Sequence, residues 1–343
     1  MKKTIIIRCD GDSQVGLGHI YRCIALADEL RKTYRCKIIF ALIRGKEGID
    51  LIKQAHYFLE KKPLNINEEN WLNTIIKQYA PSILIFDIRT DLSRAALEGW
   101  RNSKMLTVII DDTSSRRLAG NLVFCPPVRQ IKKLDWKNFK GKLYTGWKWV
   151  ILRKEFAKNY PKRINKIPQV LVTMGGSDPQ AMTLKTIKAL DFLRDNFNTV
   201  VVLGAGFKRN KELRVLLYKA YRPFVIRRNV KNIAQIMSKV DLAVASFGVT
   251  AYELAAIKVP AIYLCLTKDH AQSAKTFTNT GMAISVGVHN KVQEQLLAKK
   301  VHLLLREKIA RDKMKSRCYK KIDAQGAERI AAVIINAVEA TYG

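Results

Sequence analysis

Acidic residues are scarce in this chain. Only 29 of its 343 residues are Asp or Glu, against 61 Lys or Arg, a formal net charge of +32. That imbalance favours an anionic partner: nucleic acid, a membrane surface or a phosphorylated small molecule. Paired cysteine motifs are absent too. The six cysteines (Cys9, Cys23, Cys36, Cys125, Cys265, Cys318) form no CxxC, and several sit in apolar runs. They read as reduced, mostly buried thiols of a cytoplasmic protein. No window of about 18 apolar residues exists, which argues against a membrane-spanning helix. The apolar run in "MKKTIIIRCDGD" stops at Arg8, too short for a signal peptide, so the expectation is a soluble, cytoplasmic chain. There is no HxH, no HxxxH and no acidic cluster of magnesium type. His56, His289 and His302 lack partners at ligand spacing, so neither a metal nor another cofactor is expected.

The basic residues are spread along the chain. The densest groups are "RKTYRCK" (31–37), "FKRNKELR" (207–214) and "RDKMKSRCYKK" (311–321). No nucleic-acid motif accompanies them, so they read as solvated helix faces and loop tips, with no specific nucleic acid expected. A peripheral membrane contact is left open. Internal repeats and low-complexity segments are also missing.

What is present is alternation. "TIIIRC" (4–9), "KIIFALI" (37–43), "SILIFD" (82–87) and "MLTVIID" (105–111) are short apolar runs separated by amphipathic stretches. Ile20, Cys23, Ile24 and Ala27 fall on one helical face. β-branched runs that are apolar on both faces, alternating with helices, indicate a parallel sheet with helices on both sides. The pattern pauses over a basic stretch with two prolines. It then restarts with "VLVTM" (170–174), "TVVVLG" (199–204), "FVI" (224–226), "DLAVAS" (241–246) and "PAIYLC" (260–265). The expected organisation is an α/β chain of two doubly wound, Rossmann-like domains facing across a cleft. Residues 1–155 form the first domain, 156–168 a linker and 169–324 the second. A terminal helix, 325–343, packs back on the first domain.

In open α/β sheets ligands bind at the carboxyl ends of the strands, so the strand-to-helix loops matter most. The first runs from Asp10 through Gly16 and Gly18 to His19. The glycines permit close approach of the backbone, and His19 falls in the first helical turn beside free N–H groups that favour anions. The second loop, "MGGSDPQ" (174–180), has Gly175 and Gly176 able to admit a phosphate, and Asp178–Pro179 as a cap and first helical residue. In the third, "SFGVTAYE" (246–253), Thr250 and Glu253 have capping-box spacing. A carboxylate on a ribose diol is the functional alternative for Glu253. In the fourth, Lys268, Asp269, His270 and Gln272 open a helix. Asp87 and the pair Asp111–Asp112 end strands of the first domain. Capping explains one carboxylate of that pair and leaves the second over.

Together, "GLGHIYRCIALADEL", "DD" at 111–112, "YTGWKWVILRKEF" (144–156), "VTMGGSDPQAMTLKTIKAL" (172–190) and "NIAQIMSKVDLAVASFGVTAYELAAIKVPAI" (232–262) resemble a known family. It is that of the nucleotide-sugar hydrolases of pseudaminic acid biosynthesis and the related spore coat polysaccharide biosynthesis proteins. The second half is more distantly similar to the bacterial GlcNAc transferase of peptidoglycan lipid synthesis. The resemblance implies a GT-B fold and a UDP-sugar as the small-molecule substrate. His19 is then the catalytic base, with Asp10 beside it. Gly16, Gly18, Arg22, Asp87, Asp112, Gly175, Gly176, His270 and Gln272 contact the substrate. Asn232, Ile233, Phe247, Gly248, Val249, Thr250 and Glu253 hold the nucleotide.

The chain also departs from the hydrolase pattern. Arg89 stands where an aromatic is usual, "KDHAQ" replaces an N-Q motif, and "FGVTAYE" replaces "GGSTTWE". On this resemblance the leading expectation is a UDP-sugar hydrolase of surface or spore coat polysaccharide biosynthesis. A glycosyltransferase using the same donor is the alternative, and a polyanion-binding protein the remote one.

Overall fold

The computed structural model describes residues 3–12, 16–161, 164–318 and 321–342. Residues 13–15 of the first loop and 162–163 of the expected linker lie outside the described residues. The chain divides into two compact units, residues 1–153 with 324–343, and residues 154–323.

In the first unit the elements run β1 (Thr4–Cys9), α1 (Gly18–Tyr34), β2 (Lys37–Leu42), α2 (Lys46–Gln54), β3 (Phe58–Lys61), α3 (Glu68–Tyr79), β4 (Ile83–Asp87), α4 (Arg94–Asn102), β5 (Leu106–Ile110), β6 (Leu122–Cys125) and β7 (Lys142–Thr145). Every strand pairing is parallel, in the order β3-β2-β1-β4-β5-β6-β7. The central strands are buried throughout, because helices cover both faces of the sheet. One core packs Ile5, Ile7 and Phe40 against Leu26 and Leu30 of α1. The other packs Ile6 and Ile39 against Trp71 of α3 and Trp100 of α4. Each fully buried Ile contributes roughly 1.5–3 kcal/mol by leaving water.

The second unit repeats the plan with β8 (Gln169–Thr173), α5 (Met182–Asp191), β9 (Asn198–Leu203), α6 (Asn210–Lys219), β10 (Phe224–Arg228), α7 (Ile233–Met237), β11 (Leu242–Ser246), α8 (Val249–Ala256), β12 (Ala261–Cys265), α9 (Lys268–Thr278), β13 (Ala283–Val288), α10 (Glu294–Arg306) and α11 (Lys308–Cys318). Its parallel order is β10-β9-β8-β11-β12-β13. The last helix, α12 (Gly326–Tyr342), belongs to the first unit. Its Ile330, Ile334 and Val338 join the core beneath α1. Among the described residues no helix is long and apolar enough to cross a membrane. All six thiols are buried and unpaired.

Several short strands escape sequence reading. β3, β6 and β7 have four residues each, and β3 and β7 carry exposed residues. β3 and β7 lack the two-faced apolar run that marks a buried strand, and β6 has one only four residues long. β13 is interrupted by Gly287, and its register with β12 shifts between Tyr263 and Leu264.

Candidate active site

In both units the strand order reverses direction beside the first strand, between β1 and β4 and between β8 and β11. Open α/β sheets form their ligand crevices at such points. In the first unit the loop after β1 is tightened by Gly16, whose φ of +88° suits only glycine and whose N–H donates to the Asp12 carbonyl at 2.8 Å. Helix α1 then starts at Gly18, with no side-chain cap and no acid in its first turn. Among the described residues, no N-cap side chain takes up its leading N–H groups.

His19 and Arg22, one turn apart on α1, converge on Asp87 at the end of β4. Arg22 is bidentate, donating from Nε to Asp87 Oδ2 and from Nη2 to Oδ1, each at 2.5 Å. His19 Nδ1 lies 2.7 Å from Asp87 Oδ1. It also lies 3.0 Å from Arg22 Nη2. A carboxylate can only accept, so the shorter of these two contacts needs a proton on the ring nitrogen. Nδ1 is therefore the protonated nitrogen, donating to Asp87. In the neutral ring this leaves Nε2 with the free lone pair.

Asp87 is fully buried, and burial alone would raise its pKa. The Arg22 and His19 charges outweigh that and hold the carboxyl well below the usual carboxylate range. Arg22 likewise loses solvation, yet Asp87 and Asp111 hold it more firmly protonated than a free guanidinium. Burial also pushes the Cys23 thiol up, so this neighbour is no ready nucleophile.

Arg22 Nη1 donates to Asp111 Oδ2 at 2.9 Å, and Arg89 Nη2 reaches the same oxygen at 3.3 Å. Asp111 adopts a left-handed backbone, φ 52°, that aims it at these arginines. Asp112 is bound elsewhere, accepting from Ser114 N at 2.7 Å and Arg116 Nε at 2.9 Å. Of the Asp–Asp pair it is thus Asp111, not Asp112, that pairs with Arg22. Asp10 is buried. Its carboxylate accepts from the backbone of Ile43 and Arg44 and pairs with Arg8 at 2.7 Å. Arg8 also donates to Glu68 at 2.8 Å. Asp10 therefore ties β1 to the loop after β2. His19, Asp10, Asp87, Arg44, Arg89 and Thr90 line one small cavity.

The second unit builds its loops differently. Gly175, φ +78°, opens the turn after β8, where a Cβ would stand 3.5 Å from Ser246 Oγ at the end of β11. A Cβ on Gly204 would collide with the Gly176 backbone, so the chain passes closely here. Asp178 is not the N-cap of α5, and Pro179 is not its first residue, because the helix begins at Met182. The Asp178 carboxylate nevertheless accepts from the N–H groups of Met182 and Thr183, each at 2.8 Å. That occupies the N–H groups a phosphate would need at α5. At α8 the capping box is absent. Gly248 is the N-cap, Thr250 already lies inside the helix, and no side chain caps it. Glu253 is buried in the second turn. The N–H groups of Val249 and Thr250 thus form an uncapped helix start at the end of β11.

Phe247 is buried edge-to-face against Tyr263 and Phe277. Asn232 caps α7, accepting from Gln235 N at 3.0 Å, and Ile233 is the first residue of that helix. Thr267 caps α9. Burial lowers the pKa of His270 despite nearby Asp269, and its Nδ1 is enclosed without a hydrogen-bond partner. Gln272 is half-buried on the same helix.

Solved structures share this arrangement of elements along the whole chain. MurG of Acinetobacter baumannii superposes with a TM-score of 0.73 at 14% identity, covering 97% of this chain and 99% of that one. The fold is GT-B. A second GT-B match is the spinosyn rhamnosyltransferase SpnG complexed with thymidine diphosphate, with a TM-score of 0.68 at 11% identity, covering 96% and 99%. No family model matches the chain. Among curated proteins, an uncharacterized protein of Methanocaldococcus jannaschii, MJ1062, is 30% identical over 273 residues. The match takes in 76% of this chain but 55% of that relative, so the chain spans about half its length. The spore coat polysaccharide biosynthesis protein SpsG of Bacillus subtilis is 23% identical over 333 residues, 96% of each chain.

Proposed function

We propose that this chain is a GT-B enzyme of polysaccharide biosynthesis that breaks the anomeric bond of a nucleotide-sugar and transfers the sugar to an acceptor hydroxyl. The observation carrying this reading is the Asp87–His19 pair at the carboxyl edge of β1 and β4. A buried carboxylate that orients a histidine through Nδ1 makes Nε2 a positioned base. In the proposed reaction Nε2 takes the proton from the acceptor O–H, the oxygen bonds to the anomeric carbon, and the carbon–oxygen bond to the diphosphate breaks. UDP leaves. Arg22 holds the Asp87–His19 geometry, while Gly16 and Gly18 leave room for the sugar.

In the second unit, Val249 and Thr250 offer N–H groups to the diphosphate after the Gly248 turn. The partial positive charge of a helix start stabilises charge developing there. Glu253 takes the ribose hydroxyls, Asn232 and Ile233 the base beside Phe247, and Gly175, Gly176, His270 and Gln272 the sugar side. The GT-B neighbour bound to thymidine diphosphate supports a nucleotide donor, and its name supports transfer. That reverses the order expected from sequence, which put hydrolysis first.

Water as the acceptor is the second reading, favoured by the GxGH loop, and it uses the same base. Incubating the purified protein with UDP-sugars, with and without candidate acceptor glycans, decides between them. Sugar transfer that requires an acceptor and disappears in His19→Ala is the expected result. Stoichiometric free sugar and UDP without acceptor moves the assignment to hydrolysis. Turnover that survives in His19→Ala overturns both.

A further inference from the structure

The basic stretch 31–37 is not simply a solvated helix face. It forms one wall of a cavity of about 660 Å³ at the amino edge of the first unit's sheet, where β2 and β3 begin. The lining is Arg31, Tyr34, Arg35, Cys36, Lys37 and Ile38 from one side, and His56, Tyr57 and Phe58 from the other. No Asp or Glu is among them. The His19 loops stand at the opposite, carboxyl edge of the same strands, so this space is separate from the candidate active site.

The cations divide into one committed to the fold and two that lack a carboxylate partner. Arg31 donates to the carbonyls of Ala55 and His56 at the end of α2, pairs with Asp28 at 3.3 Å and lies 4.0 Å over the Tyr57 ring. It therefore serves the fold. Arg35 and Lys37 are exposed, and among the described residues neither has a carboxylate partner. The carbonyl of Leu30 near the end of α1 is already met by the N–H groups of Arg35 and Cys36. Helix capping therefore does not account for these two side chains. Lys37 Nζ sits 5.8 Å from the Phe58 ring and 5.4 Å from the Tyr79 ring, held over aromatic faces at the mouth. Phe58 is 65% exposed and presents its ring to the cavity.

We propose that this cavity binds a small phosphate-bearing molecule with an apolar or ring-shaped portion. The phosphate sits at Arg35 and Lys37, and the apolar portion lies against Tyr34, Tyr57 and Phe58. Two cations that line one cavity without a carboxylate partner match the charge of a phosphate monoester at neutral pH. The volume lies within the range of small-molecule sites. A soluble phosphoester and a lipid phosphate headgroup share this chemistry.

Calorimetric titration with phenyl phosphate, and co-sedimentation with phosphatidylcholine vesicles containing phosphatidic acid, test the two sources. Arg35→Glu/Lys37→Glu is the site variant. Lys208→Glu/Lys211→Glu, exposed on the second unit, carries the same change of charge as a control. The expected result is saturable binding of at least one probe, weakened roughly tenfold or more in the site variant and unchanged in the control. Melting temperatures show that both variants stay folded. Binding of phenyl phosphate assigns a soluble ligand, and binding of vesicles alone a lipid headgroup. Failure of both probes, or equal loss in site and control variants, overturns the proposal. None of these readouts depends on turnover at His19.

Discussion

Corresponding strand ends of the two units are built from opposite materials. Where β1 and β4 end, the first unit assembles His19, Arg22, Asp87 and Asp111 into a largely buried ionic array. Where β8 and β11 end in the same topological positions, the second unit places Gly175 against Ser246. One edge is furnished with charged and hydrogen-bonding side chains. The other presents glycine at the end of β8 and an uncapped helix start at Val249 and Thr250. One sheet order thus supports both because function resides in the loops, which the sheet only positions.

The sharpest way to break this contrast is to remove the buried carboxylate. Asp87→Ala strands Arg22 in a nearly dry site and is expected to cost about 3–5 kcal/mol in denaturant unfolding. Ser246→Ala, its positional counterpart, is expected to cost under about 1 kcal/mol. Equal costs would show that the two edges are not differently built. The same carboxylate predicts an acid slope. Its folded pKa is depressed, so its stabilisation is complete above the ordinary carboxylate pKa of about 4 and is lost as pH falls further. Unfolding measured from pH 6 down to pH 2 should show a shallower slope in Asp87→Asn.

Next in size is a division of labour. His19→Ala is expected to lower turnover roughly 10²–10⁴-fold while nucleotide binding, read by titration with UDP, stays intact. Glu253→Ala should do the reverse, weakening UDP by about tenfold, the loss of one charge-assisted hydrogen bond. If His19→Ala abolishes UDP binding, the assignment of chemistry to one unit and nucleotide to the other is wrong.

The smallest effect concerns His270. Burial depresses its folded pKa, so the unfolded chain binds the proton more readily. Its neutral form is accommodated at full stability above about pH 6.5, and stability falls as pH drops below that value. His270→Gln should flatten the pH 5–7 portion of the unfolding profile by less than about 1 kcal/mol, unless bound nucleotide contributes its own proton linkage.

Much of the fold was legible because parallel strands buried on both faces leave continuous apolar runs. Ile5–Ile7 and Ile83–Phe86 are examples. The short strands β3, β6 and β7 were not legible, being four residues long with exposed residues in two of them. His19 stood out because glycines beside a helix start are a local pattern. Its partners did not stand out in the same way. Between Asp111 and Asp112 no local rule chooses, and it is the left-handed turn of Asp111 that sends one carboxylate to Arg22 and leaves the other to Arg116. Capping rules pointed to Thr250 and Asp178. Only the helix starts themselves, at Val249 and Met182, show that the first is inside its helix and the second caps from upstream.

The sequence by itself determined the alternation of strands and helices, the two-unit plan and the glycine loop that presents His19, because each depends on neighbours along the chain. The tertiary structure alone decided that Asp87, 68 positions away, orients that histidine. It also decided that the basic stretch 31–37 meets His56, Tyr57 and Phe58 around an open cavity. Those pairings arise from strand order, which brings β4 beside β1 and β3 beside β2, and they leave no local periodicity in the sequence.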